Sequence, residues 1–266
     1  EKGRIEGNFT AEFEPSDKLP KMVSFKCGTK VNVVPAAAEA LFEGLDGDET
    51  EALAKSMEEE LGITFTVSSE DGCLKIAASG ENGHASTPWK GKNALTGLLA
   101  LIERLPLAEC GQLKAVRALN HLMPHGDWFG AGLGIQMSDE ESGELTLAFS
   151  MLDISEKSLE GEFDSRCPIC ATKENTIDVI RKNMEAEGIS FNTEELEPPH
   201  HVPADSDFVK TLLSAYQSYS GRKGECIAIG GGTYVHHLKN GVAFGACLPE
   251  TENHMHGPDE FAVVDE

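Results

Sequence analysis

Short stretches in which apolar and polar residues alternate define the predicted strands of this chain. Residues 9–13 read Phe-Thr-Ala-Glu-Phe, the two-residue period of a half-buried strand, and residues 22–25 form a second short strand. Residues 63–67 and 73–78 lie on either side of Asp71-Gly72, a dipeptide that favours tight turns, so they are predicted to form a hairpin.

The predicted helices rest on capping residues and on apolar spacing. Residues 36–45 are rich in alanine and follow Pro35, a residue that the first turn of a helix tolerates, so they are predicted to be helical. Thr50 is predicted to cap a helix that ends near residue 61. Residues 93–105 carry apolar side chains at three- and four-residue spacing and predict a longer helix.

The second half of the chain repeats this organisation. Its predicted elements are helices at residues 113–122 and 172–187, a hairpin of strands 133–137 and 144–149 around Ser142-Gly143, strands at 161–163 and 191–196, and a helix at 207–219 before two short strands. Three prolines between residues 197 and 203 break the pattern and mark a domain boundary. The predicted class is α/β, with two lobes at about residues 1–110 and 111–198 and a tail at 199–266.

Composition and charge exclude several classes of protein. The chain has 266 residues, and 40% of them are hydrophobic, which is enough for a real core. The formal net charge of −23 would repel phosphate backbones and anionic lipids, so we expect neither a nucleic-acid nor a membrane partner. Seven cysteines without framework spacing favour a reducing compartment, hence a cytoplasmic protein.

The carboxyl-terminal residues carry the clearest candidates for chemistry. Gly230, Gly231 and Gly232 precede Thr233, and a run of glycines lets the backbone approach a ligand closely because no Cβ stands in the way. His256 follows among acidic residues and can offer a neutral imidazole to a transition metal. One histidine cannot hold a catalytic metal, so further ligands are required.

The sequence contains one set of residues of the right types to be the further metal ligands. His125 and Asp127 form a His-x-Asp pair, and Glu140 and Glu141 add carboxylates, so that with His256 they would complete a metallohydrolase. The acidic cluster lies in a predicted hairpin turn, however, where carboxylates are normally solvated. A solvated turn is therefore the simpler interpretation.

Three other side chains stand out singly. His84 lies on a loop bounded by glycine and proline before a long helix, so it is expected to be displayed rather than buried. Asn32 is an amide among apolar residues and needs a partner or a ligand. Arg166 is a lone cation near a strand end, for which an ion pair with Asp164 is a sufficient explanation.

Five motifs occur in a definite order along the chain. They are Val31-Asn32-Val33-Val34-Pro35, Gly83-His84-Ala85-Ser86 with Gly91-Lys92-Asn93-Ala94, Asp164-x-Arg166-x-Pro168, Gly230-Gly231-Gly232-Thr233-Tyr234, and His256-Gly257-Pro258-Asp259-Glu260. This series resembles the PepV-type dipeptidases of the dizinc aminoacylase, carnosinase and carboxypeptidase family. The likeness covers nearly the whole chain, and the order of the motifs makes it specific.

The resemblance implies a division of labour. Residues 1–198 look like the two-lobed α+β lid domain of the family, and residues 199–266 like the carboxyl-terminal portion of its zinc-aminopeptidase-like α/β catalytic domain. It implies hydrolysis of dipeptides by metal-activated water, with two zinc ions, or manganese, in a complete active site. The remaining ligands and the general base lie in an amino-terminal segment of that domain, which we expect to be missing here, so that this chain alone is inactive.

The resemblance also assigns roles to individual residues. His256 matches the metal-ligating histidine, and His84 and Asn32 match lid groups that polarise the scissile carbonyl. Arg166 matches an arginine suited to clamping the substrate's carboxylate. The loop of Gly231, Gly232 and Thr233 matches the one that holds the substrate's carboxyl end. His236 stands where the family often has arginine, which puts that loop's substrate contacts in doubt.

Two readings compete with a dipeptidase fragment. One is the self-sufficient metallohydrolase that uses His125, Asp127, Glu140, Glu141 and His256. The other is a non-catalytic lid or dimerisation module, since an incomplete tail would expose apolar residues that seek a partner, either a second copy or the missing segment.

Overall fold

The computed structural model describes residues 1–244, 248, 250–251 and 259–264, and it divides into two compact units. The first unit comprises Glu1–Pro199 and Ala228–Gly231, and the second comprises His200–Ile227 and Gly232–Glu266. The assignment of residues 1–198 and 199–266 to a lid and a catalytic portion stays a prediction. No helix in the described part of the chain combines the length and the apolar character that crossing a bilayer requires.

A large antiparallel sheet forms the first unit. The described strands are β1 (Gly3–Glu12), β2 (Lys21–Cys27), β3 (Val33–Val34), β4 (Ala37–Glu43), β5 (Thr64–Glu70), β6 (Cys73–Ser79), β7 (Gly83–His84), β8 (Ser138–Asp139), β9 (Gly143–Glu144), β10 (Thr146–Ile154), β11 (Ser158–Cys167) and β12 (Ser190–Phe191). Eight of them form one sheet in the order β12-β1-β11-β10-β2-β4-β6-β5, and β3 pairs with β7 and β8 with β9. The sheet is therefore continuous across both predicted lobes, and the two-lobed arrangement is not confirmed.

Five helices are described. They are α1 (Gly47–Leu61), α2 (Ala94–Arg104), α3 (Gly111–Leu122), α4 (Ile177–Ala186) and α5 (Asp207–Ser220). Asn93 caps α2 by accepting a hydrogen bond from the Thr96 N–H at 3.2 Å, and eight of the eleven residues of α2 are buried against the sheet and α3. Helix α5 belongs to the second unit.

Phenylalanine rings stacked over glycines hold β1 against β11. Gly7 lies opposite Phe163 and Phe9 opposite Gly161 in the antiparallel register. A Cβ on Gly7 would lie 2.1 Å from the Phe163 ring, so the ring occupies the space that the glycine leaves. Any shift of register would therefore bring a side chain into these rings.

The predicted helix at residues 36–45 is wrong, because this segment is strand β4. Ala38, Ala40 and Phe42 are buried, and the residues between them are exposed or half-buried, which is the two-residue period of a strand. Alanine favours a helix only when tertiary contacts do not decide otherwise. Here β4 lies between β2 and β6 in the sheet, where a small buried side chain lets α2 approach.

Other boundaries also differ from prediction. Residues 133–137 are not a strand, and the turn around Ser142-Gly143 joins the short strands β8 and β9 instead. The helix predicted from residue 172 begins at Ile177, and the strand predicted to end at residue 196 is only the two-residue β12. The described residues after α5 contain neither of the two short strands expected there.

Candidate functional site

Strands β3 and β7 bring Asn32 and His84 together. Val33 pairs with His84, and the Ala85 N–H donates to the Asn32 carbonyl at 3.0 Å. Asn32 is half-buried and His84 is exposed. One small antiparallel ladder thus brings together two segments whose residues Asn32 and His84 are 52 positions apart in the sequence.

Buried contacts fix this ladder to the main sheet. Val34, Ala85 and Ala148 form a small apolar cluster, and Ala148 belongs to β10. The buried Thr146 hydroxyl, also on β10, donates to the Ala85 carbonyl at 2.9 Å. The ladder is therefore set on a rigid element, which is what a site that orients a substrate needs.

The ring of His84 has a defined hydrogen-bonding pattern at Nδ1. The Ser86 N–H donates to Nδ1 at 3.1 Å, and the Ser86 hydroxyl oxygen lies 2.8 Å from the same atom. An amide N–H can only donate, so Nδ1 is the acceptor, and the neutral ring carries its proton on Nε2.

Arg166 is buried, and its guanidinium is engaged within the chain. Nε donates to Asp164 Oδ1 at 2.5 Å, Nη2 to Asp164 Oδ2 at 3.1 Å, and Nη1 to the Gly230 carbonyl at 2.9 Å. Arg4, its cross-strand neighbour on β1, also donates to Asp164, at 2.7 Å. The Arg166 side chain is 7% exposed and that of Asp164 is wholly buried, so this arginine holds the glycine-rich segment in place.

The other predicted site residues are those of the glycine loop and His256, and they lie in different parts of the chain. Gly231 belongs to the first unit, and Gly232 and Thr233 belong to the second. A Cβ at Gly231 or at Gly232 would meet nothing within 4 Å, so the backbone there is open. His256, the predicted metal ligand, lies outside the described residues.

His125 has a structural role rather than the predicted alternative role as a metal ligand. Its Nε2 lies 2.9 Å from the Leu61 carbonyl and its Nδ1 lies 2.9 Å from Thr96 Oγ1, so the ring links the end of α1 to α2. Burial lowers the pKa of His125, although the hydrogen bond to Leu61 acts in the opposite direction. A neutral ring with both nitrogens bonded presents no lone pair to a metal.

The three carboxylates predicted as alternative metal ligands, Asp127, Glu140 and Glu141, are either bonded to the backbone or exposed on a turn. Asp127 accepts hydrogen bonds from four successive backbone N–H groups, those of residues 129–132, at 2.9 to 3.1 Å. Glu140 and Glu141 are exposed on the turn between β8 and β9. Among the described residues, no group of three histidines, cysteines or carboxylates is placed to hold a metal ion. The self-sufficient metallohydrolase therefore has no support in the described part of the chain.

Asp139 shows why this acidic turn has a structural function. Burial alone would raise its pKa, but hydrogen bonds from the Ser142 N–H and hydroxyl and from the Cys170 N–H lower the pKa of Asp139 to about 2. The carboxylate thereby ties the β8–β9 turn to the segment that follows β11.

Replacing Asp127 by alanine is expected to lower the free energy of unfolding by about 1–3 kcal/mol, because four backbone donors lose their acceptor. Urea unfolding in the presence of EDTA measures this effect without any contribution from a metal. Glu140→Ala, at an exposed position, serves as the matched control and should change stability by less than about 0.5 kcal/mol. If Asp127→Ala were as stable as the wild type in EDTA and less stable than the wild type only when metal is added, Asp127 would be a metal ligand after all.

Sequence reasoning missed the parts played by Ser86 and Thr146 and the bond from Arg166 to Gly230. The ion pair of Asp164 and Arg166 was anticipated from the sequence, and residues two apart on a strand do point to the same face. The other contacts join positions distant in the sequence, and no local pattern indicates them.

Comparison with known proteins gives relatives that are named as dipeptidases. No protein-family model matches the chain. It is 34% identical over 269 residues to the protein named putative dipeptidase YtjP of Bacillus subtilis, covering 100% of the chain and 57% of that protein. It is 30% identical over 269 residues to the Beta-Ala-Xaa dipeptidase of Lactobacillus delbrueckii subsp. lactis, covering 98% of the chain and 56% of that protein.

The chain thus spans just over half the length of these relatives. Among solved structures, aminoacylhistidine dipeptidase from Vibrio alginolyticus matches with a TM-score of 0.45 and 14% identity, over 88% of this chain and 52% of that one. The sequence similarity supports a relationship to dipeptidases.

Proposed function

We propose that this chain forms part of a metal-dependent dipeptidase and supplies groups that hold the substrate and polarise its amide carbonyl. The observation that carries the proposal is the ladder of β3 and β7, which brings the Asn32 backbone into contact with Ala85, next to His84, and is bonded to β10 of the main sheet. The similarity to two proteins named as dipeptidases along nearly the whole chain supports the reaction class.

The proposed chemistry of these two residues is hydrogen-bond donation. Amide hydrolysis places negative charge on the carbonyl oxygen as the tetrahedral intermediate forms, and preorganised donors stabilise that charge. The His84 ring in the neutral form described above carries a proton on Nε2, and the Asn32 side chain has two N–H donors. Both are therefore suited to bind the developing oxyanion.

The metal of the proposed reaction is not accounted for by the described residues. They contain no cluster of donors that fits a metal ion, and His256 alone is too few ligands. We therefore propose that the other ligands of two zinc ions, or manganese, and the general base lie outside the described residues. The steps assigned to this chain are binding and carbonyl polarisation only.

For the substrate's carboxyl end, the described contacts favour the glycine loop over Arg166. The Arg166 guanidinium already binds Asp164 and the Gly230 carbonyl, so it would have to exchange a partner in order to bind a substrate carboxylate. Gly231 and Gly232 have no side chain, and a Cβ at either position would meet nothing within 4 Å, so the backbone of these two glycines is accessible. We propose that the N–H groups of the glycine loop, Gly231 to Thr233, bind the carboxylate.

The test is an assay of the natural protein translated from its complete reading frame, freed of metal by chelation and reloaded with Zn²⁺ or Mn²⁺. We expect hydrolysis of dipeptides, including those with an amino-terminal β-alanine, and much slower hydrolysis of tripeptides. Circular dichroism of the same preparation establishes whether it is folded, and light scattering establishes whether it is unaggregated. A folded, metal-loaded protein that hydrolyses no dipeptide would refute the proposal.

A further inference from the structure

We propose that Ser86 is a positioning residue that holds His84 in the tautomer with its proton on Nε2, and that Gly230 keeps Ser86 in place. The inference rests on the proposed function, because the tautomer matters for a histidine that donates to a carbonyl oxygen. It assigns roles to two residues that carry no chemistry of their own.

Ser86 places two hydrogen-bond donors at Nδ1 of His84. The Ser86 N–H lies 3.1 Å from this atom and the Ser86 hydroxyl oxygen 2.8 Å. In free histidine the two neutral tautomers interconvert readily, and a hydrogen bond at one nitrogen selects the tautomer. Two donors from one residue therefore keep the Nδ1 lone pair occupied and the proton on Nε2.

Ser86 is in close contact with Gly230. A Cβ built on Gly230 would lie 2.6 Å from the Ser86 Cβ, closer than side chains tolerate, so the glycine backbone lies directly against the serine. Gly230 is not among the glycines with positive φ. The position therefore requires glycine for the close approach and not for its backbone conformation.

Two hydrogen bonds hold Gly230 and its neighbour Ile229 in place. Its carbonyl accepts from Arg166 Nη1 at 2.9 Å, and the carbonyl of the preceding Ile229 accepts from the Lys2 N–H at 3.0 Å. Gly230 is thus held on the sheet from two directions and cannot readily move away from Ser86. The chain of contacts runs from the buried ion pair on β11, through Gly230 and Ser86, to the His84 ring.

The tautomer of His84 determines whether its Nε2 attracts or repels the carbonyl oxygen of a substrate. With the proton on Nε2, His84 donates to a carbonyl oxygen. With the proton on Nδ1, the ring would turn the Nε2 lone pair towards that oxygen and repel the negative charge that develops there. The contact of Gly230 with Ser86 therefore helps to determine whether His84 stabilises or opposes the transition state.

The test is ¹⁵N NMR of the histidine rings in this chain above the titration range of histidine. The His84 signals are assigned by their loss in His84→Gln. In the wild type we expect one protonated Nε2 and one unprotonated Nδ1. Ser86→Ala keeps the backbone donor and loses the hydroxyl, so it should weaken the preference for the Nε2-protonated tautomer and move the two nitrogen shifts partway towards each other. Ser86→Thr retains the hydroxyl and should preserve the wild-type signals.

Gly230→Ala should have the same effect as Ser86→Ala, because the new methyl group displaces Ser86. Gly231→Ala is the matched control for this measurement, since a Cβ there meets nothing within 4 Å, and it should leave the His84 signals unchanged. Signals that stay unchanged in both Ser86→Ala and Gly230→Ala would overturn the inference.

Kinetics of the complete protein separate this inference from the proposed function. Ser86→Ala should lower kcat roughly tenfold with little change in KM, the effect of losing one hydrogen bond, and Ser86→Thr should restore it. A tautomer that responds to Ser86 in a protein that hydrolyses no dipeptide would refute the proposed function alone. An unchanged tautomer in an active dipeptidase would refute the role of Ser86 alone.

Discussion

His84→Ala is expected to lower kcat for dipeptide hydrolysis by roughly 10²–10³-fold with little change in KM, as the loss of one oxyanion donor does in other hydrolases. The reason is that the hydrogen bond from Nε2 strengthens as charge develops on the carbonyl oxygen, so the interaction is worth most in the transition state. Steady-state kinetics of the complete, metal-loaded protein measure the two parameters separately.

Two further variants make this result specific. His84→Gln places an amide N–H near the position of Nε2 and should recover part of the lost rate. His121→Gln removes an exposed histidine that pairs with Glu187 on the surface, and it should leave both kinetic parameters unchanged. A His84→Ala protein with wild-type kcat, or one in which only KM rises, would show that His84 does not stabilise the transition state.

Secondary structure was predictable wherever a local signal determined it. The hairpin at Asp71-Gly72 and the helix predicted at residues 93–105, which is α2, are confirmed, because a turn dipeptide and apolar side chains at helical spacing are both local signals. Residues 37–43 were mispredicted because alanine has a weak preference that neighbouring strands override. The place of β1 between β11 and β12 joins residues about 160 positions apart, which no local pattern could indicate.

The candidate site was predictable in part for a similar reason. The resemblance identified Asn32 and His84, and the structure places Asn32 just before β3 and His84 on the paired strand β7, although their catalytic role stays a prediction. The sequence also suggested a metal ligand in His125, whose ring nitrogens instead bind Thr96 and Leu61. A His-x-Asp spacing is equally compatible with a loop that satisfies its own backbone, and only the three-dimensional contacts distinguish the two.

Asp164→Ala is expected to lower the free energy of unfolding by about 3–5 kcal/mol, because it leaves the buried Arg166 guanidinium without its counter-charge. The carboxylate is wholly buried and binds Arg166 at 2.5 and 3.1 Å and Arg4 at 2.7 Å. Arg4 also pairs with Glu6, so the loss falls mainly on Arg166. Urea unfolding monitored by circular dichroism measures the loss. Asp153→Ala, at an exposed position on β10, is the control and should change stability by less than about 0.5 kcal/mol.

A triple variant distinguishes the loss of a favourable pair from the exposure of an unpaired charge. Replacing Arg4 and Arg166 by methionine together with Asp164→Leu removes all three charges and the need to neutralise them, so it should recover much of the stability that Asp164→Ala loses. The triple variant also removes the donor to the Gly230 carbonyl, so the His84 tautomer should become mixed even though the fold is stable. If Asp164→Ala is as stable as the wild type, water or another group neutralises Arg166. The buried ion pair would then not be what holds the glycine-rich segment beside Ser86.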